Sequence, residues 1–151
     1  MSATVDASRV GSVFTGTPPF EVSRRDVIAF ADAVGATSPV HRDIAEARAG
    51  GFSDLLAPVT FPVVIAQEAE AEYIADPASG VDFSRVVHAE ESFSHRRAVV
   101  AGETLTTAVH VDAITARGGL TLVTTRTEIT DEAGDGVATV VSTLAVRGAD
   151  A

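Results

Sequence analysis

Histidine exchanges its proton nearest neutral pH, so acid–base chemistry is sought first at His41, His88, His95 and His110. A metal ion needs at least three converging ligands, and no two of these histidines stand at the i, i+4 spacing of a helical metal motif. No metal site is expected. His110 lies in an alternating stretch and reads as a surface or cross-strand residue. His88 and His95 flank Glu90-Glu91 on an expected strand; seven residues apart, they should point to opposite faces and form no common site. His41 differs in its surroundings. It stands in the run Ala33-Val34-Gly35-Ala36-Thr37-Ser38-Pro39-Val40-His41-Arg42-Asp43, which carries turn residues after a helix end. An imidazole held in such a loop, beside a buried helix start, can serve as a general base. Spacing alone favours a loop histidine that packs or hydrogen-bonds a backbone carbonyl.

The elements that must position this loop lie mainly in the first half of the chain. Ser23 can cap a helix over 24–34, with Val27, Phe30, Ala31 and Val34 as its apolar stripe and Gly35 as its C-terminal stop. A short turn is expected from Asp43 to Ala49, closed by Gly50-Gly51. The main helix reads from Thr60 to Ile74, with Thr60 as cap and Pro62 in the first turn. Its first two turns are apolar nearly all round, and Glu68, Glu70 and Glu72 come only later, so its N-terminal half should be wrapped by a sheet. The second half supplies that sheet. Strands are expected over 86–99, 105–114, 120–129 and 137–146 as a four-strand antiparallel meander, with 13–22 pairing at an edge. The fold class is α+β, one domain over 1–151 with its ordered core at about 10–147.

Composition narrows the partners. Of 151 residues, 46% are hydrophobic and 21% charged, the balance of a folded globular domain. Lys and Arg number 11 against 21 Asp and Glu, a net charge of −10 that argues against nucleic acid. The absence of cysteine excludes disulfides and thiolate catalysis. No apolar run approaches the ~20 residues that span a bilayer, and Met1 to Gly16 lacks a signal-peptide pattern, so no membrane and a reducing cytoplasm are expected. An anionic ligand would be drawn to the pairs Arg24-Arg25 and Arg96-Arg97.

The run Gly35 to Asp43 resembles the G-D-x-N-P-x-H-x-D loop of the MaoC-like, (R)-specific enoyl-thioester hydratases and dehydratases. The family's aromatic residue falls on Phe52, and its H-G-M-L helix start falls on Pro58-Val59-Thr60-Phe61. Leu56 to Pro62, Val86 to Phe93 and Arg97 to Glu103 are similar to the branch that holds the actinobacterial (3R)-hydroxyacyl-ACP dehydratase subunits. The resemblance spans about 10–147 and implies a hot-dog fold, an antiparallel sheet wrapped around a long central helix.

In that family an Asp and a His act on either side of the thioester's α,β bond, and a backbone N–H at the helix start holds the developing enolate oxygen. Carried over, the base is His41 and the amide donor is Val59, but the Asp position is Ala36. Ser38 stands for the usual Asn and Val59 for glycine. Ser38, Pro39, Pro58, Thr60 and Phe61 would line the substrate site, and Arg96, Arg97 or Arg24 would meet phosphates. No cofactor is implied. The expected function is therefore a catalytically degenerate, acyl-binding partner in a (3R)-hydroxyacyl-thioester dehydratase, acting on acyl-CoA or acyl-carrier-protein thioesters with a second hot-dog subunit. Three alternatives stay open: a self-sufficient homodimeric hydratase using His41 with Asp43 or Glu90, a thioesterase using Glu68, and a non-catalytic acyl-binding module. Pairing into a homo- or heterodimer is expected because a curved sheet around one helix leaves its edge strands bare.

Overall fold

The computed structural model describes residues 4–148. Strands β1 (Val13–Phe14) and β2 (Phe20–Glu21) open the chain, followed by α1 (Arg24–Ala33), α2 (Ile44–Ala49) and α3 (Pro62–Ala75). Four long strands complete it: β3 (Val86–His95), β4 (Thr104–Arg117), β5 (Leu120–Thr130) and β6 (Gly136–Arg147). All pairings are antiparallel, in the order β1-β4-β5-β6-β3, and β2 joins the start of β4. The α3 helix packs across β4, β5 and β6, which makes the architecture α+β with a sheet around a central helix. Among the described residues no helix is long and apolar enough to cross a membrane.

Local signals explain most element ends. The Ser23 hydroxyl accepts the Asp26 N–H at 3.0 Å and caps α1, a contact of about 1 kcal/mol. The helix stops one residue sooner than expected, so Val34 leaves the stripe and stands 51% exposed, while Gly35 turns the chain at φ +69°. Asp43 caps α2 by accepting the N–H groups of Ala45 and Glu46. Thr60 caps nothing: α3 begins at Pro62 behind Phe61, which has helical torsions and makes no side-chain cap. Proline at the first helical position needs no N–H and already holds a helical φ, which sets the start there.

Two expectations about the sheet change. The span 13–22 is not one edge strand but two short ones that pair with β4 at separate points, because Pro18-Pro19 between them have no N–H for the ladder. The meander has three strands rather than four. With β1 and β2 occupying the free edge of β4, β3 pairs instead with β6.

A bulge between His88 and Glu90 shifts the register of β3. Val86, His88, Glu91, Phe93 and His95 therefore lie opposite Val146, Leu144, Ser142, Val140 and Ala138, alternate residues of β6 that are all buried. The extra residue reverses the parity, so His88 and His95 share the face turned to α3 instead of opposing each other.

The core beneath α3 is divided. One apolar cluster surrounds the N-terminal half of the helix, with Phe61 at its centre against Phe20 and Phe30 at 6.2 and 5.5 Å. A second holds Tyr73, Val111, Val123 and Leu144. Between them runs a polar band. Thr125, Ser142 and Glu91 stand in lateral register on β5, β6 and β3, and Glu70 of α3 meets Thr125. Glu70, one of the three glutamates late in the helix, is 1% exposed.

Candidate functional site

The loop after α1 ends in a single 3-10 turn, Pro39–His41, which is bound to the segment before α3 from both sides. The Val40 carbonyl accepts the Leu56 N–H at 3.0 Å, and His41 Nδ1 lies 2.6 Å from the Leu56 carbonyl. A carbonyl only accepts, so Nδ1 carries the proton and neutral His41 keeps its lone pair on Nε2. That tautomer suits a general base. The 55–57 segment is itself fixed by reciprocal backbone bonds, Ala57 to Val99 and Ala101 to Leu55, each 2.9 Å. Arg24 grips Asp54 with two nitrogens and, with the Leu55 N–H as second cause, draws the Asp54 carboxyl down to about 2.

These restraints place His41 in a cleft of ≈ 670 Å³ at the start of α3. Pro58, Val59 and Thr60 form its floor, Ala36 and Phe52 one wall, and His95 to Val99 the other. Val59 is 75% exposed. His95 Nε2 lies 2.7 Å from the Val59 carbonyl and donates to it, which holds the peptide that leads into the helix. Among the described residues neither the Val59 nor the Thr60 N–H has an acceptor, and both stand where the helix dipole favours negative charge. The site can thus offer an acceptor nitrogen on one side and amide donors on another. Among the described residues no carboxylate lines the cleft.

Comparison with known proteins places this arrangement. The FAS1-like, dehydratase domain region matches residues 8–140. The chain belongs to this dehydratase family. UPF0336 proteins are close in sequence: that of Saccharopolyspora erythraea is 44% identical over 144 residues, covering 95% of this chain and 92% of the relative. That of Clavibacter michiganensis is 46% identical over 141 residues, 93% and 95% of the two chains. A structure described as a MaoC-like dehydratase superposes with a TM-score of 0.86 at 31% identity, over 95% of this chain and 43% of its own. The HadBC (3R)-hydroxyacyl-ACP dehydratase complex of Mycobacterium tuberculosis gives 0.82 at 25% identity, over 91% and 96%. The (R)-hydratase of A. caviae, at 20% identity and 0.69, shares the fold. The fold is the hot dog, and the family is that of MaoC-like dehydratases and hydratases.

Within this family frame, the structure sorts the residues singled out from sequence. His41, Ala36, Pro58, Val59, Thr60, Arg96 and Arg97 meet at one cleft. Ser38 and Pro39 do not line it; both are exposed on the outside of the loop. Phe61 is fully buried, because its ring fills the space between α1 and β2 rather than the cleft. Arg97 is held by Glu103 and Asp131, and Arg24 by Asp54, so neither guanidinium is free for a phosphate. The carboxylates weighed as replacements are elsewhere: Asp43 caps α2, and Glu90 and Glu68 are exposed away from the cleft. His95 was missed. Its place depends on the β3 bulge, for which the sequence carries no signal that we can identify.

Proposed function

We propose that this chain is the acyl-binding, catalytically degenerate partner of a heteromeric (3R)-hydroxyacyl-thioester dehydratase. Dehydration removes a proton from C2 and the hydroxyl from C3. The C2–H electrons move towards the thioester carbonyl, whose oxygen gains charge, and then form the double bond as water leaves. His41 Nε2 is one proton acceptor, and the amides ahead of α3 are donors for the carbonyl oxygen. The departing hydroxyl needs protonation by a second group, and Ala36 offers none. The cleft with an oriented imidazole but no lining carboxylate is the observation that carries the reading. Losing one member of an acid–base pair costs on the order of 10²–10⁴ in rate. A second hot-dog subunit with the complete Asp–His pair would supply it, as the description of HadBC as a complex encourages. Arg96 at the cleft rim is the remaining cation for a phosphopantetheine or CoA phosphate.

The test follows the absorbance of a trans-2-enoyl-CoA. The chain alone should stay near background, and addition of a hot-dog subunit with the intact pair should give turnover above that of the subunit alone. Robust hydration by the isolated chain overturns the reading. Release of free CoA thiol would indicate a thioesterase instead.

A further inference from the structure

A second cleft, of ≈ 350 Å³, opens between α3 and β3. Its walls are mostly apolar, from Ala71, Ile74, Ala75 and Phe83, with Gln67 beside them, and Phe83 stands 63% exposed on its lip. At its base is Glu70, 1% exposed. One carboxylate oxygen accepts the Thr125 hydroxyl at 2.6 Å, and the other, Oε2, is buried with no partner. A buried oxygen left unpaired is costly, so its retention points to a donor from outside the chain. His88 also lines this cleft, brought to the α3 side by the β3 bulge.

We propose that this cleft is a binding subsite for a hydroxyl group on the distal part of an acyl chain. The inference rests on the acyl-thioester reading above. A hydroxyl both donates and accepts: its O–H satisfies Glu70 Oε2, and its oxygen accepts from the His88 ring. Gln67, which also lines the cleft, can donate to or accept from the same hydroxyl. Apolar walls with a few placed polar groups are the make-up of a small-molecule site, and the volume lies within that range. Glu70 stands eight residues beyond Pro62, about 12 Å along the helix axis from its start at 1.5 Å per residue. That separation excludes the C3 hydroxyl of a thioester seated at Val59 and places the recognised group far down the chain.

The experiment measures binding of octadecanoyl-CoA and a series of its hydroxylated positional isomers to the full chain by calorimetry. One distal isomer should bind about tenfold more tightly than the plain chain, the scale of one hydrogen bond. That preference should fall to near unity in Glu70→Leu and in His88→Phe, with circular dichroism checking the fold. If Glu70→Leu does not fold, His88→Phe on the strand surface decides alone. Plain thioester binding without preference for any isomer overturns the subsite and leaves the acyl-thioester reading intact. Failure of every thioester to bind sinks both. A preference that survives the variants places the hydroxyl elsewhere and also overturns the proposal.

Discussion

The two clefts beside α3 are chemical opposites. At the helix start, two imidazoles and Arg96 surround exposed amide donors, and among the described residues no carboxylate takes part. Half-way along α3, Glu70 and Glu91 face Thr125 and Ser142, and among the described residues no Arg hydrogen-bonds either carboxylate. The start is built to receive negative charge and the middle to receive a donor. The missing acid of the family's pair is therefore not displaced along the helix: Glu70 lies about 12 Å away and is engaged with the sheet.

Installing the absent acid gives the largest expected effect. Ala36→Asp should raise hydration of an enoyl thioester by about 100-fold or more over background, and His41→Ala in that variant should abolish the gain. An unchanged rate with ligand still bound would mean that the loop does not present position 36 to the imidazole. At the other region, Thr125→Val strips Glu70 of its sole donor among the described residues and should cost about 1–3 kcal/mol in chemical denaturation. Glu70→Leu added to it should recover much of that loss, since the pair is then replaced by apolar groups. A double-mutant cycle with no coupling would show that the band is not a unit.

Smaller effects separate the two ends further. His95→Ala frees the Val59 carbonyl and should weaken thioester binding by up to about tenfold, the scale of one hydrogen bond, with melting temperature as the control. The pH dependence of stability should carry opposite signs at the two ends. Asp54, beside the helix-start cleft, is held at about 2 chiefly by Arg24, so its contribution is present above the usual 3.8 and is lost as pH falls towards 2. Arg24→Ala should flatten that acid limb. Burial, and next in that direction the Glu70 charge, push the Glu91 carboxyl up from 4.5 against the Ser142 hydrogen bond. Its contribution is present below 4.5 and is lost as pH rises through the raised value, a slope that Glu91→Gln should remove. Thermal melts from pH 2 to 8 read both limbs.

Local signals were legible where local chemistry sets the outcome. The Ser23 cap, the Gly35 stop, the apolar first turns of α3 and the alternating strands each depend on residues within a few positions. The loop carrying His41 and the segment before α3 were singled out by family resemblance, not by local chemistry. His95 was not, because a one-residue bulge reverses strand parity without changing the hydrophobic pattern around it. Glu70 was not, because three glutamates at alternate positions look alike until one of them turns to the sheet.

Amino-acid order alone determined a helix-then-sheet chain with no cysteine chemistry, and a loop with an imidazole at 41 and an alanine at 36. Tertiary structure decided which groups share a space. It tied His41 to Leu56, buried Phe61, engaged Arg24 and Arg97 in ion pairs, and buried one carboxylate of α3 against β5. The reason is range: caps, turns and periodicity act over one or two turns of chain, whereas a cleft is made by segments that meet only when the sheet closes on its helix.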